Sequence, residues 1–137
     1  MTDHVSVAKR SAIMTAVKSK GSWPELQLRS LLHRAKYRFR LHVKALPGSP
    51  DIVFPGRRKA ILVHGCFWHR HKHCRYATTP KSRVQFWEKK FLGNVRRDRR
   101  NIAGLTRLGW MVLVVWQCEM KEPAKVLERV VEFLDSE

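Results

Sequence analysis

The sequence predicts an α/β domain, a small central mixed β-sheet flanked by helices. Three observations carry that expectation. KAILVH at residues 59–64 and MVLVVW at residues 111–116 are short apolar runs with the character of buried strands. Between them lies a long stretch with helical apolar spacing, so strand, helix and strand follow one another as in a parallel crossover. Directly after the first run, residues 64–74 read HGCFWHRHKHC, crowding four histidines, two cysteines and two adjacent aromatics into one segment.

The elements follow in order. Residues 5–19 carry Val7, Ile13, Met14 and Val17 between basic residues, which suits a short amphipathic helix or an arm, within residues 1–20, that orders on a partner. Ser22-Trp23-Pro24-Glu25 has the spacing of a capping box, and Leu26, Leu28, Leu31 and Leu32 continue it as a helix to about Lys36. Residues 37–43 alternate basic and apolar side chains, the pattern of a half-buried strand. LPGSP breaks the chain before DIVF, and the turn at residues 55–58 joins DIVF to KAILVH as a hairpin. With Phe54 opposite Lys59, Asp51 falls opposite Leu62 and on the face of His64. Val84, Trp87, Phe91, Val95, Ile102, Leu105 and Leu108 predict one or two helices, with Gly109 as the stop. The crossover brings the ends of KAILVH and MVLVVW together, so Cys118 approaches Cys66 and Cys74. A last helix over residues 123–134 closes the fold with Val126, Leu127, Val130 and Phe133.

Composition narrows the function. The 137 residues suit one domain able to bury a core without disulfides. The 28 Lys plus Arg against 11 Asp plus Glu give +17, spread along the chain, which points to a polyanion. No segment approaches the roughly 18 consecutive apolar residues that span a bilayer, so no membrane role is expected. The charged opening lacks a long apolar core, which predicts a cytoplasmic protein with reduced thiols. Metal binding therefore outranks disulfide formation. Cys66, His71, Cys74 and Cys118 make a tetrahedral Cys3His set for zinc that uses every thiol; His71 is preferred to His73, because adjacent His73 and Cys74 have difficulty pointing at one ion.

Ser49-Pro50-Asp51 before an apolar strand resembles the start of a PD-(D/E)xK nuclease core, but Val63-His64-Gly65 stands where that core has an acidic residue and lysine. LPGSPDIVF, HGCFWHRHKHC, KSRVQFWEKKFLGNVRRDRRN and LGWMVLVVWQCE together resemble the very short patch repair (Vsr) mismatch endonucleases over nearly the whole chain. The resemblance implies a restriction-endonuclease-like fold, a structural zinc, and magnesium-dependent nicking of duplex DNA on the 5′ side of the thymine in a T·G mismatch. It makes Asp51 the magnesium carboxylate, joined by the Val63 main-chain carbonyl; family members often have threonine at the Val63 position. His69 becomes the base, oriented by Asp98, with His64 near the scissile phosphate and Glu25 acting through metal-bound water. Phe67, Trp68 and Trp87 become aromatic wedges beside the mismatch, and Met14 approaches from the minor groove. Arg96, Arg97, Arg99 and Arg100 hold phosphates. Mismatch-repair proteins are the implied collaborators, and an asymmetric mismatch needs no symmetric dimer, so a monomer is expected.

Each residue also has a plainer reading. Glu25 serves as a helix cap, Asp98 offsets arginine repulsion on an exposed helix, and Trp87 belongs to a helical core stripe. Two other functions compete with the nickase: a zinc-stabilised, non-catalytic DNA-binding module, and a nuclease that uses zinc catalytically. The latter needs an open coordination position, which four protein ligands do not leave.

Overall fold

The computed structural model describes residues 22–136; the expected N-terminal arm, residues 1–20 with Met14, lies outside them. Three helices and four strands follow in order: α1 (Trp23–Arg34), β1 (Arg40–Leu41), β2 (Ile52–Phe54), β3 (Lys59–His64), α2 (Val84–Arg107), β4 (Met111–Trp116) and α3 (Pro123–Asp135). Short 3-10 turns at Pro55–Arg57 and Gln117–Lys121 complete the described chain.

The sheet runs β1-β2-β3-β4. The first two pairings are antiparallel and the third is parallel, from Lys59 opposite Met111 to His64 opposite Trp116. Phe54 faces Lys59, the register expected from the sequence. α1 and α3 cover one face, where Leu28, Leu32, Ile52, Ile61, Val115 and Val130 are all fully buried. Burying side chains of this size contributes roughly 1.5–3 kcal/mol each before the entropy of ordering them is counted. On the other face, Leu62 and His64 meet α2 across a cavity.

Three local expectations are corrected. Ser22 occupies the N-cap position and Pro24 sits in the first turn, where its missing N–H costs nothing, but Ser22 makes no capping bond. Glu25 instead turns inward, 2% exposed, and pairs with His42 at 3.1 Å. Leu26, expected in the apolar stripe, is 50% exposed. The strand expected over residues 37–43 shrinks to Arg40–Leu41. Tyr37 and Phe39 still pack edge-on to Phe54, but His42 takes a left-handed φ of 47° and ends the ladder.

The stretch after the His/Cys segment forms one helix of 24 residues. It stops where expected: Gly109 has φ 86°, its N–H donates to the Thr106 carbonyl, and Trp110 N–H donates to the Leu105 carbonyl, both at 3.0 Å. This is a Schellman closure, and its left-handed residue favours glycine. α2 also supports the loop leading to Asp51. A Cβ on Gly48 (φ 75°) would lie 2.6 Å from the Asn101 side chain, and one on Gly104 would lie 3.1 Å from Pro47.

Lys59 opens β3 inside the protein, 3% exposed. Its ammonium donates to the carbonyls of Phe133 (2.6 Å), Leu134 (3.1 Å) and Ser136, and to the Ser136 hydroxyl. A buried cation thereby joins Arg57 and the Ser136 hydroxyl in satisfying the carbonyls at the C-terminus of α3 and sits favourably against its dipole.

Candidate active site and cysteine cluster

The candidate site is built where β3 ends. Asp51 precedes β2, and its carboxylate accepts a 2.8 Å hydrogen bond from the backbone N–H of Val63. That bond fixes the carboxylate across the hairpin. Burial, with Glu25 as a nearby like charge, pushes Asp51 up to about 6, while the Val63 bond works the other way. Glu25 reaches the same place from the first turn of α1. Its Oε2 is buried without a hydrogen-bond partner. Glu25, His42 and Asp51 together present ligand atoms within 4.8 Å of one another.

A second pair lies across the cavity. His69 Nδ1 is 2.6 Å from Asp98 Oδ2. Against an ionised carboxylate Nδ1 must donate, which leaves Nε2 as the proton acceptor. His64 stacks flat on His69, with ring centroids 3.9 Å apart and planes 4° apart. Burial, then the neighbouring His69, lowers His64 to about 4, so it is a neutral imidazole near pH 7. Glu25, Asp51, Val63, His64, His69 and Asp98 all line one cavity of about 190 Å³. That space admits several waters or a phosphodiester group.

Cys66, His71, Cys74 and Cys118 converge a few residues away, their ligand atoms within 4.8 Å of one another. His71 Nδ1 lies 3.7 Å from Cys66 Sγ and 3.4 Å from Cys118 Sγ. Ligands on a tetrahedral zinc are expected about 3.5 Å apart from the Zn–N and Zn–S bond lengths, so the donors fit that ion in both type and spacing. His73 is exposed and outside this group. Burial pushes the Cys66 thiol up to about 12, and burial also raises Cys118; a bound cation would stabilise both thiolates. The parallel crossover supplies Cys118 as expected, and Glu119 secures its turn by accepting the Trp116 N–H at 2.8 Å and pairing with Arg129.

The other candidates divide. Phe67, Trp68 and Trp87 form one aromatic cluster with Phe91, in which Phe67 is 5.1 Å from Trp68 and 5.6 Å from Trp87. Trp68 is buried to 8% exposure, its carbonyl held by Asn94 at 3.1 Å; Phe67 and Trp87 are half-buried. Arg96, Arg97, Arg99 and Arg100 are all exposed on α2, on either side of the half-buried Asp98. His42 escaped the sequence reading because it sat within an alternating basic segment. The signal that finds it is pairing: with Arg40 opposite Val53 and Leu41 opposite Ile52, the next position faces Asp51.

A mixed sheet with a carboxylate and an oriented histidine gathered at one cavity is the layout of an α/β nuclease. The family model described as DNA mismatch endonuclease Vsr matches residues 2–76. A type II nicking enzyme, V.XorIIP, from Xanthomonas oryzae pv. oryzae is 50% identical over 135 residues, covering 98% of both chains. The DNA mismatch endonuclease Vsr of Escherichia coli K12 is 41% identical over 128 residues, 93% of this chain and 81% of its own. A type II nicking enzyme of Neisseria meningitidis, V.NmeAIP, is 38% identical over 95% of this chain and 92% of its own. The chain belongs to the DNA mismatch endonuclease Vsr family and is an endonuclease. Asp98 and Cys118 lie beyond the matched residues of the family model.

Proposed function

We propose that this protein is a magnesium-dependent endonuclease that nicks one strand of duplex DNA 5′ of the mispaired thymine in a T·G mismatch, initiating very short patch repair. The observation that carries this reading is the His69–Asp98 pair sharing one cavity with the carboxylates of Asp51 and Glu25. Asp98 holds the His69 tautomer, and His69 Nε2 takes the proton of the attacking water. Asp51 and the Val63 carbonyl would hold magnesium, with Glu25 contacting its water shell. The orphaned Glu25 oxygen and the hard oxygen donors fit that ion. Magnesium would supply charge neutralisation at the phosphate and at the leaving oxygen. Valine at position 63 leaves the carbonyl ligand intact while removing the hydroxyl common in the family, so only the surrounding water changes.

Neutral His64, stacked on His69, keeps that ring in plane and donates no positive charge that would quench the base. Cys66, His71, Cys74 and Cys118 would bind a structural zinc, pinning the loop that carries His69 to the end of β4. Phe67 and Trp87 present the wedge against the mismatched step, with Trp68 packed behind them; a weakly stacked step costs less to open, which favours mispairs. The arginines of α2 hold phosphates.

Strand-resolved cleavage of matched and T·G duplexes with magnesium tests the reading. The wild type should give one nick beside the thymine and Asp51→Ala none. Binding without a nick in either protein would favour the non-catalytic DNA-binding module, and cleavage with zinc alone would favour catalytic zinc.

A further inference from the structure

His42 has no part in the reaction just described, yet it touches both carboxylates proposed to face the cation. Its Nε2 is 3.1 Å from Glu25 Oε1 and 3.0 Å from Oε2, and 3.9 Å from Asp51 Oδ1. Only Oε1 meets the geometry of a hydrogen bond; Oε2 is buried without one, within ion-pair range of both His42 and Arg29. Glu25 and Asp51 line the cavity and His42 does not. The histidine therefore stands behind the carboxylates, with its side chain 14% exposed.

The backbone is bent to put it there. His42 adopts φ 47°, a left-handed conformation unfavourable for most residues, while its own N–H donates to the Asp51 carbonyl at 3.2 Å. One residue thus grips the Asp51 main chain with its amide and the Glu25 side chain with its ring. Arg29, a cation on the same helix, is 3.4 Å from Oε2 and pulls the Glu25 carboxylate the other way.

We propose that His42 is a positioning residue of the cation site: its Nε2–H, donated to Oε1, holds Glu25 in the rotamer that keeps its carboxylate beside Asp51 at the cavity instead of drawn wholly onto Arg29. The proposal rests on Asp51 and Glu25 being the cation-facing carboxylates. Outer contacts of this kind are typically worth about 10–100-fold in metal affinity.

The full chain would be titrated with Mn2+ as the probe, free aquo ion being followed by electron paramagnetic resonance, and with Mg2+ in competition. His42→Ala should weaken binding roughly tenfold or more. His42→Gln, whose amide still donates one hydrogen bond, should recover most of it. The Mg2+ midpoint for nicking should rise by the same factor, with the rate at saturating Mg2+ and cation-free duplex binding unchanged. Unaltered Mn2+ affinity in a folded His42→Ala, no recovery in a folded His42→Gln, or nitrogen hyperfine coupling showing His42 bound directly to Mn2+ would each overturn the proposal. If His42→Ala does not fold, the comparison of His42→Gln with His42→Leu decides in the same way. Wild-type Mn2+ binding without any nicking would instead remove the nuclease reading and leave the His42 result standing.

Discussion

The two ends of β3 bury ionisable side chains in opposite ways. At its start, Lys59 finds three carbonyls and a hydroxyl, and its charge is fully used in closing α3. At its end, His64 is kept neutral, Asp51 is pushed up to about 6, and a Glu25 oxygen has no hydrogen-bond partner. Buried polar groups that are satisfied stabilise, and those left unsatisfied cost free energy until something binds. One end of the strand is therefore a fastening and the other a site.

Substitutions at the two ends should separate activity from stability. The largest effect belongs to the active end: Asp51→Ala should lower nicking by about a thousandfold or more, and His69→Ala by roughly 10²–10⁴-fold, with little change in melting temperature. Single-turnover rates on a T·G duplex check this, and wild-type rates in either variant would dismantle the assignment. Lys59→Met keeps the volume and removes the charge, leaving Arg57 and the Ser136 hydroxyl as the side-chain donors at the end of α3. It should cost on the order of 3 kcal/mol in urea unfolding while the rate per folded molecule is preserved.

The pH dependence of stability, measured without divalent cation, sharpens the same contrast. Asp51, at about 6 against an ordinary 3.8, holds an extra proton in the folded state between those values, so its contribution falls as pH rises through that window. His64, at about 4 against 6.5, lacks a proton that the unfolded chain holds, so its contribution rises over nearly the same window. In the wild type the two oppose each other. Asp51→Asn should unmask the His64 slope, gaining roughly 2 kcal/mol relative to the wild type between pH 4 and 6.5. A variant that follows the wild-type curve would show that these groups do not titrate as described.

The smallest effect concerns affinity. If about six phosphates are neutralised, log K should fall with log salt at a slope near −5, and Arg96→Ala should make that slope shallower by about 0.9 without changing mismatch preference. An unchanged slope would remove Arg96 from the DNA-facing surface.

Much of this was legible in the residues, and the limits have physical causes. The hairpin register, the crossover and the Gly109 stop depend on local pattern, and all three are found as expected. The cysteine cluster was legible because soft donors are rare and the crossover fixes where Cys118 lands. The capping box failed because spacing alone cannot tell whether Glu25 will bond a backbone amide or a histidine from another segment. His42 was missed for the same reason: its role comes from a left-handed turn and cross-strand pairing that no local period encodes. The burial of Trp68 behind Phe67 and Trp87 also depends on α2 packing across the loop.

Asp98, Asn101 and Gly104 recur at every third residue along α2: the first orients His69, and the other two seat the loop that ends at Asp51. A single rigid rod thus gauges the distance between proton acceptor and carboxylate. Gly48, which touches neither, should therefore be among the least replaceable positions in the chain, because any added carbon would push the loop off its gauge. In a saturation library it would behave like an active-site residue for a mechanical rather than a chemical reason.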